Sequence, residues 1–280
     1  MDFIRDVMQH TFLQHALLAG LLSSVACGVV GTYVVVRRIT YIAGAISHCI
    51  LGGMGAAQYM QAVHGWAWCD PLFGATISAL LAALVIGLVS LKAKQREDTV
   101  IGAIWAIGMA VGVIFIANTP GYNKDLTSYL FGNILWVSSR DLWLIAILNC
   151  VVLVTVFTFY NQFLAVCFDE EFSRLRGVPV ELFYLLLLAL TALTVVVMVK
   201  VVGIVLVIAL LTLPVAIAGN YVRTLWQMML LSIVVSALLT VGGQALTYSP
   251  TNVKLPAGAT IIVLAGIVYL ISVAIPRRAR

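Results

Sequence analysis

The sequence predicts an all-α, polytopic membrane protein with about eight to nine transmembrane helices and two shorter helices, one re-entrant and one on an aqueous face. Of its 280 residues, 62% are apolar and 10% charged, whereas an average soluble protein is about 25% charged. The apolar residues fall in blocks of about twenty, the length of helix that crosses about 30 Å of hydrocarbon. Between the blocks lie loops too short to bury a core of their own. Residues 1–280 therefore read as one transmembrane domain.

The apolar blocks place helices at about 12–36, 39–60, 71–91, 99–117, 140–163, 180–198, 201–219, 225–247 and 257–275. Basic residues follow alternate helices: Arg37 and Arg38, then Lys92, Lys94 and Arg96, then Arg223, then Arg277, Arg278 and Arg280. All four clusters share one side if the N-terminus is outside and the C-terminus is in the cytoplasm, as the excess of basic residues on inner loops requires. The opposite loops, "QAVHGWAWCDP", "NTPGYNKD" and "SPTNVKLP", carry Trp, Pro and Gly and few basic residues. The first ten residues, "MDFIRDVMQH", contain acids and no small-x-small cleavage site, which argues against a signal peptide. The net charge of +5 sits at the ends of apolar blocks, the pattern of membrane topology and not of nucleic-acid binding. Of five cysteines without paired spacing, four lie within or at the end of apolar segments, where a thiol behaves as a small hydrophobe.

Two segments depart from simple spans. "DLTSYLFGNILWVSS", 125–139, is apolar but too short to cross, and a crossing would invert every later helix. It reads as a re-entrant helix on the outer side, lining a water-filled cavity; a short helix buried without a cavity fits the same residues. "FDEEFSRLRGVPVE", Phe168 to Glu181, holds four of the chain's eleven acids between two long apolar runs. With Asp169 or Ser173 as cap and Gly177-Val-Pro179 as stop, it reads as a short helix on the inner surface. Its charged face suits either docking to a soluble partner or plain solvation.

His48 alone among the four histidines lies deep in an apolar segment; His10 and His15 are near the N-terminal entry and His64 is in an outer loop. Polar side chains in spanning helices face the bundle interior and mark pathways, although a histidine bonded to a neighbouring carbonyl serves packing alone. Gly44, His48 and Gly52 share a helix face at i, i+4 spacing, and Gly53 and Ala57 form a second small-residue pair suited to close helix packing. Cys49 points about 100° away from His48, so the two do not form a joint site. Lys200 is placed at the outer boundary, its stem along the apolar surface and its ammonium in the interface. Pro214, inside the seventh helix, predicts a bend.

"DEEFSRLRGVPVE" resembles the cytoplasmic coupling helix of bacterial ATP-binding-cassette importer permeases, in particular those of the zinc, manganese and iron uptake family. "RRITYIAGAISHCILGGMGAA" (37–57), "DLTSYLFGNILWVS" (125–138), "VKVVGIVLVIALLTLPVAIA" (199–218) and "LPAGATIIVLAG" (255–266) resemble segments of the same family in the same order, nearly end to end. The resemblance implies a permease in the bacterial cytoplasmic membrane, paired with a second permease subunit as a homo- or heterodimer. Two cytoplasmic ATP-binding subunits and an extracytoplasmic solute-binding protein would complete the importer of a divalent metal ion. It implies coupling to the ATPase through Asp169, Glu170, Glu171, Arg174, Arg176 and Gly177, and a metal route past His48 and Asn133. The outer charges Asp70, Lys124 and Asp125 are candidate contacts for the binding protein. No G-x-x-x-x-G-K-[ST] loop is present, so ATP and Mg belong to the partner ATPase and this chain is expected to be neither an enzyme nor a cofactor carrier.

Two positions depart from the family pattern. Gly44 stands where the family often has an aspartate four residues before the histidine, and Asn133 where it often has another. Both changes remove negative charge from the expected route, which keeps a metal chelate such as a siderophore or cobalamin open as the alternative substrate. An ion-coupled secondary transporter would need carboxylates deep in a span, and an intramembrane enzyme a convergent catalytic set; neither pattern is in the sequence.

Overall fold

A computed structural model describes residues 6, 7, 9–66, 68–92, 97–120, 132, 137–248 and 256–274. Among them there is no strand, and eleven helices follow in chain order: α1 (Thr11–Val36), α2 (Thr40–His64), α3 (Pro71–Lys92), α4 (Glu97–Ala117), α5 (Ser139–Thr158), α6 (Tyr160–Phe168), α7 (Glu170–Leu175), α8 (Val180–Val202), α9 (Ile204–Gly219), α10 (Leu225–Tyr248) and α11 (Ala257–Ala274). By length and composition seven of these can cross a membrane: α1, α3, α4, α5, α8, α10 and α11. This is a multi-pass membrane protein. Helix α9, at 16 residues, is about 24 Å long, shorter than the seven long spans. Helix α2 is long enough, but Ser47, His48, Gln58 and Gln61 dilute its hydropathy. The expected 125–139 helix lies almost wholly outside the described residues.

The chain divides into two compact units: Met1–Val35, Leu126–Thr158 and Val197–Arg280 form the first, and Val36–Asp125 and Phe159–Val196 the second. In the first, α1 and α10 meet along two ladders of small and polar residues, each with a four-residue repeat. Gly20, Ser24, Gly28 and Thr32 of α1 run antiparallel to Gln244, Thr240, Ser236 and Ser232 of α10. Lipid tails are as apolar as leucine, so close backbone approach and interhelical hydrogen bonds hold such helices together. Ser232 Oγ donates to the Gly28 carbonyl at 3.0 Å and Gln244 Nε2 to the Ala16 carbonyl at 3.1 Å. A methyl on Gly28 would lie 2.6 Å from Ile233 Cγ1, so the glycine sets the helix separation. Asn149 of α5 ties to α1 by donating to the Leu22 carbonyl at 2.9 Å. Helices α9, α10 and α11 pack around Ile217, Leu239 and Ala265.

Lys200 and Asp141 also belong to the first unit. Lys200 Nζ lies 2.8 Å from Asp141 Oδ1, where the interfacial expectation supplied no partner. Asp141 is itself placed by a capping box: its Oδ2 accepts from Ser138 N at 3.1 Å, and Ser138 Oγ accepts from Asp141 N at 3.3 Å. His15 Nδ1 is 3.2 Å from the Val137 carbonyl.

In the second unit α2 is wedged between α3 and α4 through its glycines. A Cβ on Gly52 would come within 2.9 Å of the Gly108 carbonyl oxygen, and one on Gly55 within 2.8 Å of the Gly112 oxygen, both on α4. On the other side Gly53 and Gly74 of α3 face each other so closely that each Cβ would overlap the partner's carbonyl oxygen. The two small-residue faces expected of this helix are therefore packing faces, one for each neighbour. His48 is carried on the α4 side of that wedge.

Candidate functional site

The α2 helix brings His48 against Trp105 of α4, the rings stacked at 4.7 Å between centroids and 20° between planes. Trp105 is bounded on another side by Tyr41, at 5.5 Å. His48 is half-buried, and its Nδ1 has no hydrogen-bond partner among the described residues. The carbonyl-bonded packing role weighed for this histidine is thus unmet at that nitrogen. Gly44 is occluded by the same indole: a Cβ there would lie 3.1 Å from Trp105 Cζ3 and 3.3 Å from Cη2. Trp105 stands where a carboxylate one turn before His48 would have to go. Cys49 also turns to α4, its Sγ donating to the Ile104 carbonyl at 3.4 Å. Among the described residues no three His, Cys, Asp or Glu side chains converge as a metal site would require. His48 thus stands without two such neighbours among the described residues.

The charged segment forms the short helix α7, closed by local chemistry at each end. Asp169, extended at φ −150°, caps the N-terminus with Oδ1 accepting from Phe172 N at 2.9 Å. At the C-terminus Val178 N donates to the Ser173 carbonyl and Gly177 N to the Arg174 carbonyl, each at 3.0 Å. That pair of bonds is a Schellman motif, and Gly177 at φ 76° supplies the left-handed residue it needs. Ser173 is buried, with Oγ donating back to the Asp169 carbonyl at 2.6 Å.

The charges of α7 are largely engaged within the second unit. Glu170 is ion-paired with Arg37, which follows α1. Arg174 Nη2 is 3.0 Å from Glu181 Oε1 of α8, and the Arg176 guanidinium lies over the Phe172 ring at 4.9 Å. The Arg37 guanidinium also lies 5.4 Å from the Tyr184 ring centroid, and Tyr184 donates to Ser90 Oγ of α3 at 3.0 Å. Outward instead are Glu171 and three apolar side chains: Leu175 is 86% exposed, Phe168 69% and Phe172 51%. Burial pushes the Cys167 thiol up to about 11, against a smaller downward pull from the Arg37 charge.

The described residues from 9 on all lie inside a match of residues 9–276 to the model of the ABC 3 transport family. The chain belongs to the ABC 3 transport family. A probable metal transport system membrane protein of Chlamydia pneumoniae is 41% identical over 277 residues, 99% of this chain and 93% of that protein. The manganese transport system membrane protein MntC of Halalkalibacterium halodurans is 31% identical over 270 residues, 96% of this chain and 89% of that one. Among solved structures, PsaBC from Streptococcus pneumoniae in complex with Fab shares 31% identity and a TM-score of 0.84, covering 98% of this chain and 95% of that chain.

Against this ABC 3 background the sequence-expected residues are dispersed. His48 and the α7 charges have the placements given above. Asp70 caps α3, its Oδ1 accepting from Leu72 N at 2.8 Å, with Pro71 as first helical residue. Lys124, Asp125 and Asn133 lie outside the described residues. Sequence reasoning assigns no partner to either Arg37, which enters it as a topology signal and within the 37–57 resemblance, or Trp105, which it does not single out. Arg37 immediately precedes the chain's one non-glycine residue of positive φ among those described, Arg38 at φ 61°, a strain no sequence signal announced.

Proposed function

We propose that this chain is the membrane-spanning permease subunit of an ATP-driven importer for a divalent transition metal ion: zinc, manganese or iron. The observation that carries it is the end-to-end similarity to membrane proteins named for metal and manganese transport. Residues 1–280 act as one permease domain in a bacterial cytoplasmic membrane. Helices α2 and α9 join the seven long spans within the bilayer, which sets the N-terminus outside and the C-terminus in the cytoplasm. The 125–139 segment is re-entrant from the outer side. The permease pairs with a second permease subunit, receives metal from an extracytoplasmic binding protein through the outer charges Asp70, Lys124 and Asp125, and itself catalyses nothing. ATP and Mg are held by cytoplasmic ATP-binding subunits.

Helix α7 is the coupling helix. Its residues divide the work: Asp169, Glu170, Arg174, Arg176 and Gly177 hold its shape and position, while Glu171 and exposed Leu175, Phe168 and Phe172 meet the ATP-binding subunit. His48 presents a neutral imidazole nitrogen to the passing ion, with Asn133 as a second, oxygen donor. A route with so little negative charge holds the ion weakly, which suits passage more than storage.

Uptake of zinc, manganese and ferrous iron by cells expressing the chain with its cognate ATPase and binding protein tests this reading, wild type against His48→Ala. One metal is expected to enter, with uptake at limiting metal reduced by about tenfold in the variant, the loss of one coordinating donor. Full uptake by His48→Ala would return that residue to packing. Entry of a chelated metal alone, with no free ion carried, would overturn the free-ion substrate.

A further inference from the structure

Helix α7 is ion-paired with a side chain far earlier in the sequence, the Arg37 that follows α1. The six-residue α7 is too short to hold itself as a helix in isolation, so its placement depends on ties to longer elements. Two charged ties exist among the described residues. Arg174–Glu181 joins it to the next helix, but those side chains are 53% and 57% exposed, and exposed pairs contribute little. Arg37–Glu170 is 20% and 28% exposed, better shielded from water. Arg37 is held in turn: its guanidinium packs over Tyr184 of α8, and Tyr184 bonds Ser90 of α3. One guanidinium therefore links the first turn of α7 to the α1–α2 junction and to two long helices, α8 directly and α3 through Tyr184. The backbone at the junction is itself constrained by the positive φ of Arg38.

We infer that Arg37 is a positioning residue for coupling: through Glu170 it orients α7 so that motion of the ATP-binding subunit reaches α3 and α8 and is not dissipated in a loose loop. The inference rests on the reading of α7 as the coupling helix. A planar guanidinium is suited to this task, since it can pair with the carboxylate at its edge while its face lies on the tyrosine ring. A lysine can supply the charge but not the two-sided contact. Glu170 would otherwise be a partly buried carboxylate without its cation, and the helix would swing outward to hydrate it.

The test uses the complete importer reconstituted in proteoliposomes, reading metal uptake per ATP hydrolysed and ATPase association separately. In Arg37→Ala the uptake per ATP is expected to fall about tenfold, the population shift that goes with one charge-assisted hydrogen bond. Arg37→Lys should recover part of that ratio. The charge-reversed pair Arg37→Glu with Glu170→Arg should recover more of that ratio than either single reversal, as a pairwise tie requires, whereas a loss of folded protein alone would lower uptake and hydrolysis together and leave their ratio unchanged. Wild-type ratios in Arg37→Ala, or a reversed pair no better than the single reversals, would overturn the inference. Leu175→Asp tests the underlying reading on its own. Loss of ATPase binding in that variant supports the docking surface, so a normal ratio in Arg37→Ala would then sink the positioning role alone. Retained binding in Leu175→Asp would overturn the docking assignment and the inference with it.

Discussion

Gly44→Asp places the family's carboxylate one turn before His48, and the structure predicts that Trp105 will oppose it. The new Cβ would lie 3.1 Å and 3.3 Å from two carbons of the indole, where carbon contacts prefer about 3.5–4.0 Å. The ring must shift by a few tenths of an ångström, yet it is stacked on His48 and bounded by Tyr41. Crowding of this kind costs about 1–3 kcal/mol. Replacing a helical glycine by alanine returns roughly 1 kcal/mol, so Gly44→Ala should cost between about 0 and 2 kcal/mol. Aspartate recovers less of that propensity and adds a partly desolvated charge, so Gly44→Asp should cost at least about 2 kcal/mol. In a Trp105→Leu background the obstruction is gone, and the same substitution should cost at least about 1 kcal/mol less. Equilibrium unfolding in mixed micelles, followed by far-ultraviolet circular dichroism, measures all four corners of this cycle. Additivity within about 0.5 kcal/mol would refute the claim that the indole occupies the carboxylate's place.

Gly53→Val should destabilise the second unit by about 3 kcal/mol, because its side chain meets the Gly74 carbonyl and no rotamer change can move backbone. Gly266→Ala, with nothing within 4 Å of the new methyl, is the control; it should be neutral or stabilising by up to about 1 kcal/mol, and equal effects of the two in micelle unfolding would contradict the packing. Cys167, with its thiol raised to about 11, should react with maleimide at pH 8 about a hundredfold more slowly than a cysteine of ordinary pKa near 9, such as that of the Glu171→Cys variant. The raised value means the folded state keeps its proton as pH climbs from 9 toward 11, so labelling should accelerate through that window and stability should decline across it. Fast labelling of Cys167 at pH 8 would show that it is not buried.

Much of this protein is legible in one dimension. Apolar blocks located the long helices to within a few residues because crossing a membrane is a demand on length and composition, both local. The α7 helix was legible for the same reason: Asp169 bonds a backbone amide three residues on, and Gly177 serves a turn two residues beyond the last helical residue. Repeats of small residues in α2 announced close packing, although not which neighbour each face would meet. Tertiary structure alone decided that Trp105 covers Gly44 and stacks on His48, that Lys200 pairs with Asp141, and that Arg37 holds Glu170. Each of these joins residues far apart in the chain. A side chain's own chemistry says that it needs a partner, and only the rotation and depth of packed helices decide which partner comes within reach.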